Sequence, residues 1–368
     1  MISRRLGVDQ VIDDGVTKPG DALIADGRII EVGLPPAGTD LVAARGFVDL
    51  QVNGYAGVDL LGADEDAVRH VGRTMRQHGV QAWQGTLITS HETRLVRSLN
   101  VLAGTAPDHT CARLLGVHLE GPFLASERLG THPAEHRQDP DLALMGRLRA
   151  AGPVTYVTLA PELPGALDMI EVLADAGVVV SLGHTAASAE QAHAAFDRGA
   201  TTVTHLFNAM TSFAPRAPGI VGAALTRPDV TVQIIVDRHH LAPETVRLAF
   251  AAAAGRIALV TDATAAAGLG DGSYQLGDIE VEVTDGAVRR GDGTLAGSAL
   301  TMAVAVRNCV ELGIDLRTAI TAATATPADI VGQPHLAQLR PGAPADVVVL
   351  DAAGQLQKVL ANGEEVHA

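Results

Sequence analysis

Glu120, His184, His205 and Asp262 each stand at the end of a short apolar run, and the four runs are well separated along the chain. One carboxylate and two imidazoles from three strands can hold a divalent ion with a coordination position left open, the pattern of a catalytic zinc site. Asp262 would then face the bound water. Other run ends carry Gln51, Asn53, His118, Asp237, His239 and His240. Each of these residues alone also has a structural reading, as a hydrogen-bonded histidine, a buried ion-pair partner or a helix cap. Their joint occurrence at several run ends points instead to a metal site.

Other counts narrow the chemistry. Only two lysines occur, Lys18 and Lys358, one near each terminus. Schiff-base catalysis, a phosphate-loop lysine and a carboxylated lysine between two metals all need a lysine inside the catalytic domain. Positions 19–357 contain none. Cys111 and Cys309 show no Cys-x-x-Cys spacing and read as unpaired thiols of a reducing compartment. With 42 acidic against 27 basic residues the net charge is −15, which opposes binding to nucleic acid or an anionic membrane face. An anionic substrate would need a local cluster of Arg, His and backbone N–H groups. No run approaches the roughly 20 apolar residues of a bilayer span, and no apolar signal core follows Arg4 and Arg5. A soluble, cytoplasmic protein with a small-molecule partner is expected.

Positioning such residues requires a repeated strand-and-helix frame. With 368 residues, 47% of them apolar, the chain can build one large domain and a small one. Eight strand-like segments stand at 46–54, 81–89, 114–123, 156–162, 178–185, 201–208, 231–240 and 257–264. Helical spacing fills most gaps, as at 186–198 and 243–253. Near-continuous apolar strands separated by helices predict a parallel sheet with both faces covered. Eight such units predict a (β/α)8 barrel of the α/β class, whose strand ends converge on one catalytic face. No Gly-x-Gly-x-x-Gly opens the first unit, which disfavours a doubly wound sheet. Residues 1–43 and 343–368 carry strand and turn signals, among them Ala25-Asp26-Gly27 and Asn362-Gly363. They predict a small β-sandwich domain built from both termini. The barrel would then span 44–342, with a β excursion near 274–295.

Several strings resemble those of the N-acetylglucosamine-6-phosphate deacetylases, within the amidohydrolase superfamily. They are Gly116-Val117-His118-Leu119-Glu120-Gly121-Pro122-Phe123, Leu182-Gly183-His184-Thr185, His205-Leu206-Phe207-Asn208-Ala209-Met210, Val260-Thr261-Asp262-Ala263 and Leu295-Ala296-Gly297-Ser298. The strand-one stretch 46–54 and the stretch 341–346 extend the likeness to nearly the whole chain. The resemblance implies a metal-dependent enzyme that removes acetate from the amino group of a 6-phosphorylated sugar, in amino-sugar metabolism. It implies Glu120, His184 and His205 as metal ligands and Asp262 as the general acid and base. His132 becomes a contact near the acetamide or sugar, and Asn208, the Ala209 backbone, Arg216 and His240 become contacts to the sugar and its phosphate. A homodimer is the family's usual form.

Two departures carry consequences. Many superfamily members place His-x-His on strand one and bind two metals; here the positions are Gln51 and Asn53. One divalent ion per chain is therefore expected, zinc first, with iron(II) and cobalt also compatible. Gln51 would at most hydrogen-bond the metal's water. The second departure is Asp237-Arg238-His239-His240, where the family shows Gly in the place of Arg238. Competing readings are a deacetylase for the galactosamine epimer, another amidohydrolase, and a non-catalytic barrel that binds without turnover. The last would have lost one of the four central residues, and all four are present.

Overall fold

The computed structural model describes residues 3–366. Eight short runs pair in chain order into one parallel sheet: β1 (Phe47–Val52), β2 (Val80–Ile88), β3 (Arg113–Glu120), β4 (Val154–Leu159), β5 (Val179–Leu182), β6 (Thr202–Val203), β7 (Thr231–Ile234) and β8 (Ile257–Leu259). A helix follows each: α1 (Glu65–Gln77), α2 (Glu92–Gly104), α3 (Leu142–Ala151), α4 (Ala166–Asp175), α5 (Ala189–Asp197), α6 (Gly219–Thr226), α7 (Pro243–Ala252) and α8 (Met302–Glu311). Every residue of β1 and β2 is buried, as a sheet covered on both faces requires. In α1, Asp64 caps Ala67 N at 2.9 Å, and Val68, Val71 and Met75 line the face turned to the barrel. Ser188 and Gln191 form a capping box at the start of α5. The expected (β/α)8 barrel is what forms.

Closure between β8 and β1 runs past the end of β8. Val52 and Ala263 make a parallel bridge, and Asn53 N–H donates to Ala263 O at 2.8 Å. Deeper in the seam the Asp49 carboxylate substitutes for ladder bonds, accepting from Thr261 N at 3.2 Å and Thr261 Oγ1 at 2.6 Å. Asp49 is fully buried, and burial pushes its pKa up to about 7 against the lowering effect of those hydrogen bonds.

Several strands stop short of the ends of their apolar runs, among them β5 at Leu182, β6 at Val203, β7 at Ile234 and β8 at Leu259. Beyond them His184, His205, Phe207, Ala209 and Arg238 take positive φ, between 31° and 78°. A left-handed residue turns the backbone out of the ladder. The residues just past the ladder therefore form short turns over the barrel mouth.

The two termini build a sandwich against the barrel. One sheet runs 364–366, 356–361, 347–351, 41–45, 10–13 and 16–19; the other holds 3–5, 21–25 and 28–34. Alternation along the larger sheet divides its side chains between two cores. Val347 and Val349 enter a small core with Leu6, Val11 and Ile29, while Val348 and Leu350 enter the main one. The turns Asp26-Gly27 and Asn362-Gly363 have both residues at positive φ, the geometry that two-residue hairpins favour. We propose the boundaries 1–43 and 343–368 for this unit, on the strength of its separate core, with the last residues of strand 41–45 continuing its sheet into the barrel segment. A further antiparallel sheet of 272–276, 279–284 and 287–290 follows β8.

Candidate active site

A cavity of about 320 Å³ opens at the C-terminal ends of the barrel strands, within the range of small-ligand sites. Glu120, at the last position of β3, reaches its floor. Its Oε1 lies 3.1 Å from His184 Nε2 and 3.1 Å from His205 Nε2, and the two nitrogens are 3.1 Å apart. All three residues are buried. His184 Nδ1 donates to Arg128 O at 2.8 Å, which leaves a lone pair on the Nε2 that faces the carboxylate. Three electron-rich atoms thus converge, and one proton cannot bridge all three contacts. The donor set fits a divalent cation, with the Arg128 carbonyl orienting His184 from behind.

Electrostatics at the cluster follow from burial and mutual contact. Burial opposes the charged Glu120 carboxylate, but the His184 and His205 rings packed against it overcome that and hold its pKa well below the usual range. Burial would lower His205, and its bond to Glu120 raises it instead. Asp262 is raised by burial and by the nearby Glu120 charge, against the pull of His205, His240 and an Asn53 hydrogen bond.

Asp262 follows β8 and takes φ 50°. Its Oδ1 accepts from Asn53 Nδ2 at 2.7 Å. Ser298 clamps the same turn, with its N–H on Asp262 O at 2.8 Å and its Oγ on Thr261 O at 2.6 Å. Gly297 makes this approach feasible, since a Cβ there would meet Asp262 O at 2.7 Å. The Leu295-Ala296-Gly297-Ser298 string is a support for Asp262.

His132, His240, Asn208 and Ala209 line the same cavity. Thr89 N donates to His132 Nδ1 at 3.3 Å, so the ring proton lies on Nε2, which faces Glu120 Oε2 at 3.7 Å. Burial, then the His184 ring, push His132 down to about 3. His240 Nδ1 donates to Asp237 Oδ2 at 2.7 Å. Asn208 Nδ2 donates to His205 O at 3.1 Å and braces the turn that carries it. Gln51 donates through Nε2 to Glu120 Oε1 at 3.0 Å, while its Oε1 is buried without a partner. His118 lies one layer deeper, on Thr158 Oγ1 at 2.7 Å, outside the cavity wall.

Arg216 is not brought to this cavity within the chain. It sits exposed on the turn closed by the Ala214–Ala217 bridge. Arg238 holds its left-handed position at φ 74° and directs its guanidinium outward to Glu311 of α8.

The sequence places Asn53 and Asp237 at run ends but gives neither of them a partner. Asn53 stands two positions from Gln51, yet nothing in its spacing names Asp262 as its partner. Asp237 carries a readable signal, a carboxylate three residues before a histidine, and it fixes the His240 ring. Leu276, Thr294 and Leu295 bring the β excursion over the cavity as a wall.

A barrel with a buried carboxylate–imidazole cluster at its mouth and a separate carboxylate beside it is the build of a hydrolase. Residues 45–366 match the amidohydrolase family, and the chain belongs to it. It is 36% identical over 358 residues to an N-acetylgalactosamine-6-phosphate deacetylase of Escherichia coli O157:H7, covering 96% of this chain and 95% of that one. It is 40% identical over 346 residues to the N-acetylglucosamine-6-phosphate deacetylase of Homo sapiens, covering 88% and 83%. Among solved structures, it matches an N-acetyl-D-glucosamine-6-phosphate deacetylase from Mycobacterium smegmatis. That protein is an aspartate-to-alanine mutant in complex with N-acetyl-D-glucosamine-6-phosphate. The match has a TM-score of 0.91 at 36% identity and covers 100% of both chains.

Proposed function

We propose that the protein hydrolyses the acetamide of N-acetylglucosamine 6-phosphate to glucosamine 6-phosphate and acetate, within amino-sugar catabolism or recycling. The observation that carries this reading is the convergence of Glu120, His184 and His205 at 3.1 Å beside Asp262. It occurs in a chain similar to such deacetylases along most of its length.

Glu120, His184 and His205 would hold one divalent ion per chain, zinc first, with iron(II) and cobalt also suited to the donor set. When bound, such an ion polarises the acetamide carbonyl and acidifies a water. Asp262, raised by burial, would accept one proton from the attacking water as its oxygen bonds to the carbonyl carbon. It would then deliver that proton to the sugar nitrogen as the C–N bond breaks, leaving a free amine and acetic acid, which ionises to acetate. Asn53 keeps the carboxylate aimed, and Gln51 restrains Glu120. His132 contacts the acetamide or the sugar, and Asn208, the Ala209 backbone and His240 contact the sugar and its phosphate. A homodimer would bring Arg216 of one subunit to the phosphate in the other, which its exposed turn and the 56% exposed Phe213 beside it favour. A reducing cytoplasm suits the two buried free thiols.

A galactosamine-epimer reading is favoured by the Escherichia coli relative. Acetate release from both epimers, with and without a chelator, tests the proposal. The glucosamine epimer should be preferred and the chelator should abolish turnover. Release from neither epimer by metal-loaded protein would overturn it.

A further inference from the structure

A second cavity, of about 530 Å³, lies at the opposite end of the barrel, where β1, β2 and β3 begin beside the segment leading into the C-terminal strands. Arg45, Arg76, Arg113 and Arg340 line it together with His335, and Asp346 is its one carboxylate. A chain with only 27 basic residues and a net charge of −15 thus gathers four guanidinium groups around one acid.

The four arginines are not equally occupied. Arg45 is buried and satisfied, through Leu336 O at 3.2 Å, Gln81 Oε1 at 2.8 Å and Pro344 O. Arg76, only 6% exposed, donates through one terminal nitrogen to Asp346 Oδ1 at 2.5 Å, while its Nε is buried without a partner. Arg113 and Arg340 are exposed at the rim and, among the described residues, make no ion pair. Burial, then the charges of Arg113, Arg340 and Arg45, push the His335 imidazole below its ordinary range, which places these guanidinium groups around one space. The two buried cations, Arg45 and Arg76, thus share the single Asp346 carboxylate, and the forks of N–H donors left over around the cavity suit a tetrahedral oxyanion.

We infer that this cavity is an anion site, remote from the catalytic mouth, that takes a phosphate ion or a phosphate monoester between the barrel and the terminal strands. Arg76 and Arg113 grip from the barrel and Arg340 from the connecting segment. An occupied site therefore ties the two units together and stabilises the folded chain by mass action.

Calorimetric titration of inorganic phosphate into the metal-loaded enzyme tests the inference, and glycerol 2-phosphate serves as the ester arm. Arg113→Glu with Arg340→Glu should bind one anion fewer per chain than the wild type, with kcat/KM for the sugar phosphate kept within about twofold. The single variant Arg340→Gln, which removes one exposed donor, should weaken that site by about tenfold. Tighter binding of the ester than of phosphate identifies an ester ligand, and the reverse identifies the free ion. If the deacetylase reading alone fails, the wild type binds one anion and the double variant none. Equal numbers of bound anions in the wild type and the double variant would overturn the inference.

Discussion

Asp262 receives one side-chain hydrogen bond, from Asn53, and its turn is clamped by Ser298. Asp262→Asn keeps the shape but cannot carry a proton. The variant is expected to fold and retain its metal, with kcat lowered by at least about a hundredfold, the scale of general acid–base catalysis. Metal analysis beside steady-state kinetics checks this; loss of the ion would make Asp262 a ligand instead. Arg238 presents a different balance. A left-handed non-glycine residue costs roughly 1–2 kcal/mol, and the exposed pair with Glu311 returns little. Arg238→Gly should therefore raise stability by roughly 0–1 kcal/mol and leave turnover within about twofold, as read by urea unfolding and an acetate assay. A large loss of turnover would place the arginine in the site after all.

The β1–β8 seam is where a single side chain governs how two elements meet. Asp49→Ala strands the buried Thr261 donors, and a loss of roughly 1–3 kcal/mol is expected. The folded pKa of about 7 lies above the ordinary aspartate value near 3.9. Folded chains therefore keep a proton that unfolded chains release between those pH values. The contribution of Asp49 is greatest below about pH 4 and declines as pH rises to about 7. Asp49→Asn cannot titrate, so the variant should gain stability relative to the wild type across that window. Denaturation curves at several pH values measure the difference, and parallel pH profiles would refute it. The ends of β5, β6 and β7 show the same dependence of chemistry on element geometry. Six of the twelve non-glycine residues at positive φ among the described residues cluster at the mouth, where strain is held because the surrounding packing over-determines it.

For the whole molecule, the open question is whether one chain completes its own site. Arg216 lies outside the cavity of its own chain. If it serves a neighbour, mixing Arg216→Ala with Asp262→Asn protomers restores one intact site in each mixed dimer. About one quarter of wild-type activity should return after subunit exchange. No recovery in mixed dimers would confine Arg216 to its own chain. Among the described residues no helix is long and apolar enough to cross a membrane.

Apolar runs spaced by helical stretches were enough to mark eight strands, because burial on both faces demands near-continuous hydrophobicity. Run ends marked Glu120, His184, His205 and Asp262, because parallel strands deliver their C-terminal ends to one face. Turn pairs such as Asn362-Gly363 were equally legible, since few residues accept positive φ. Tertiary structure alone decided which atoms meet. Asn53 finds Asp262 across 209 positions, and the excursion after β8 folds back as a cavity wall. It likewise turned Arg238 away toward Glu311 and left Arg216 on an exposed loop. These outcomes depend on closure of the barrel and on backbone twists beyond the strand ends. Local composition does not encode either, because each is a property of elements far apart in the chain.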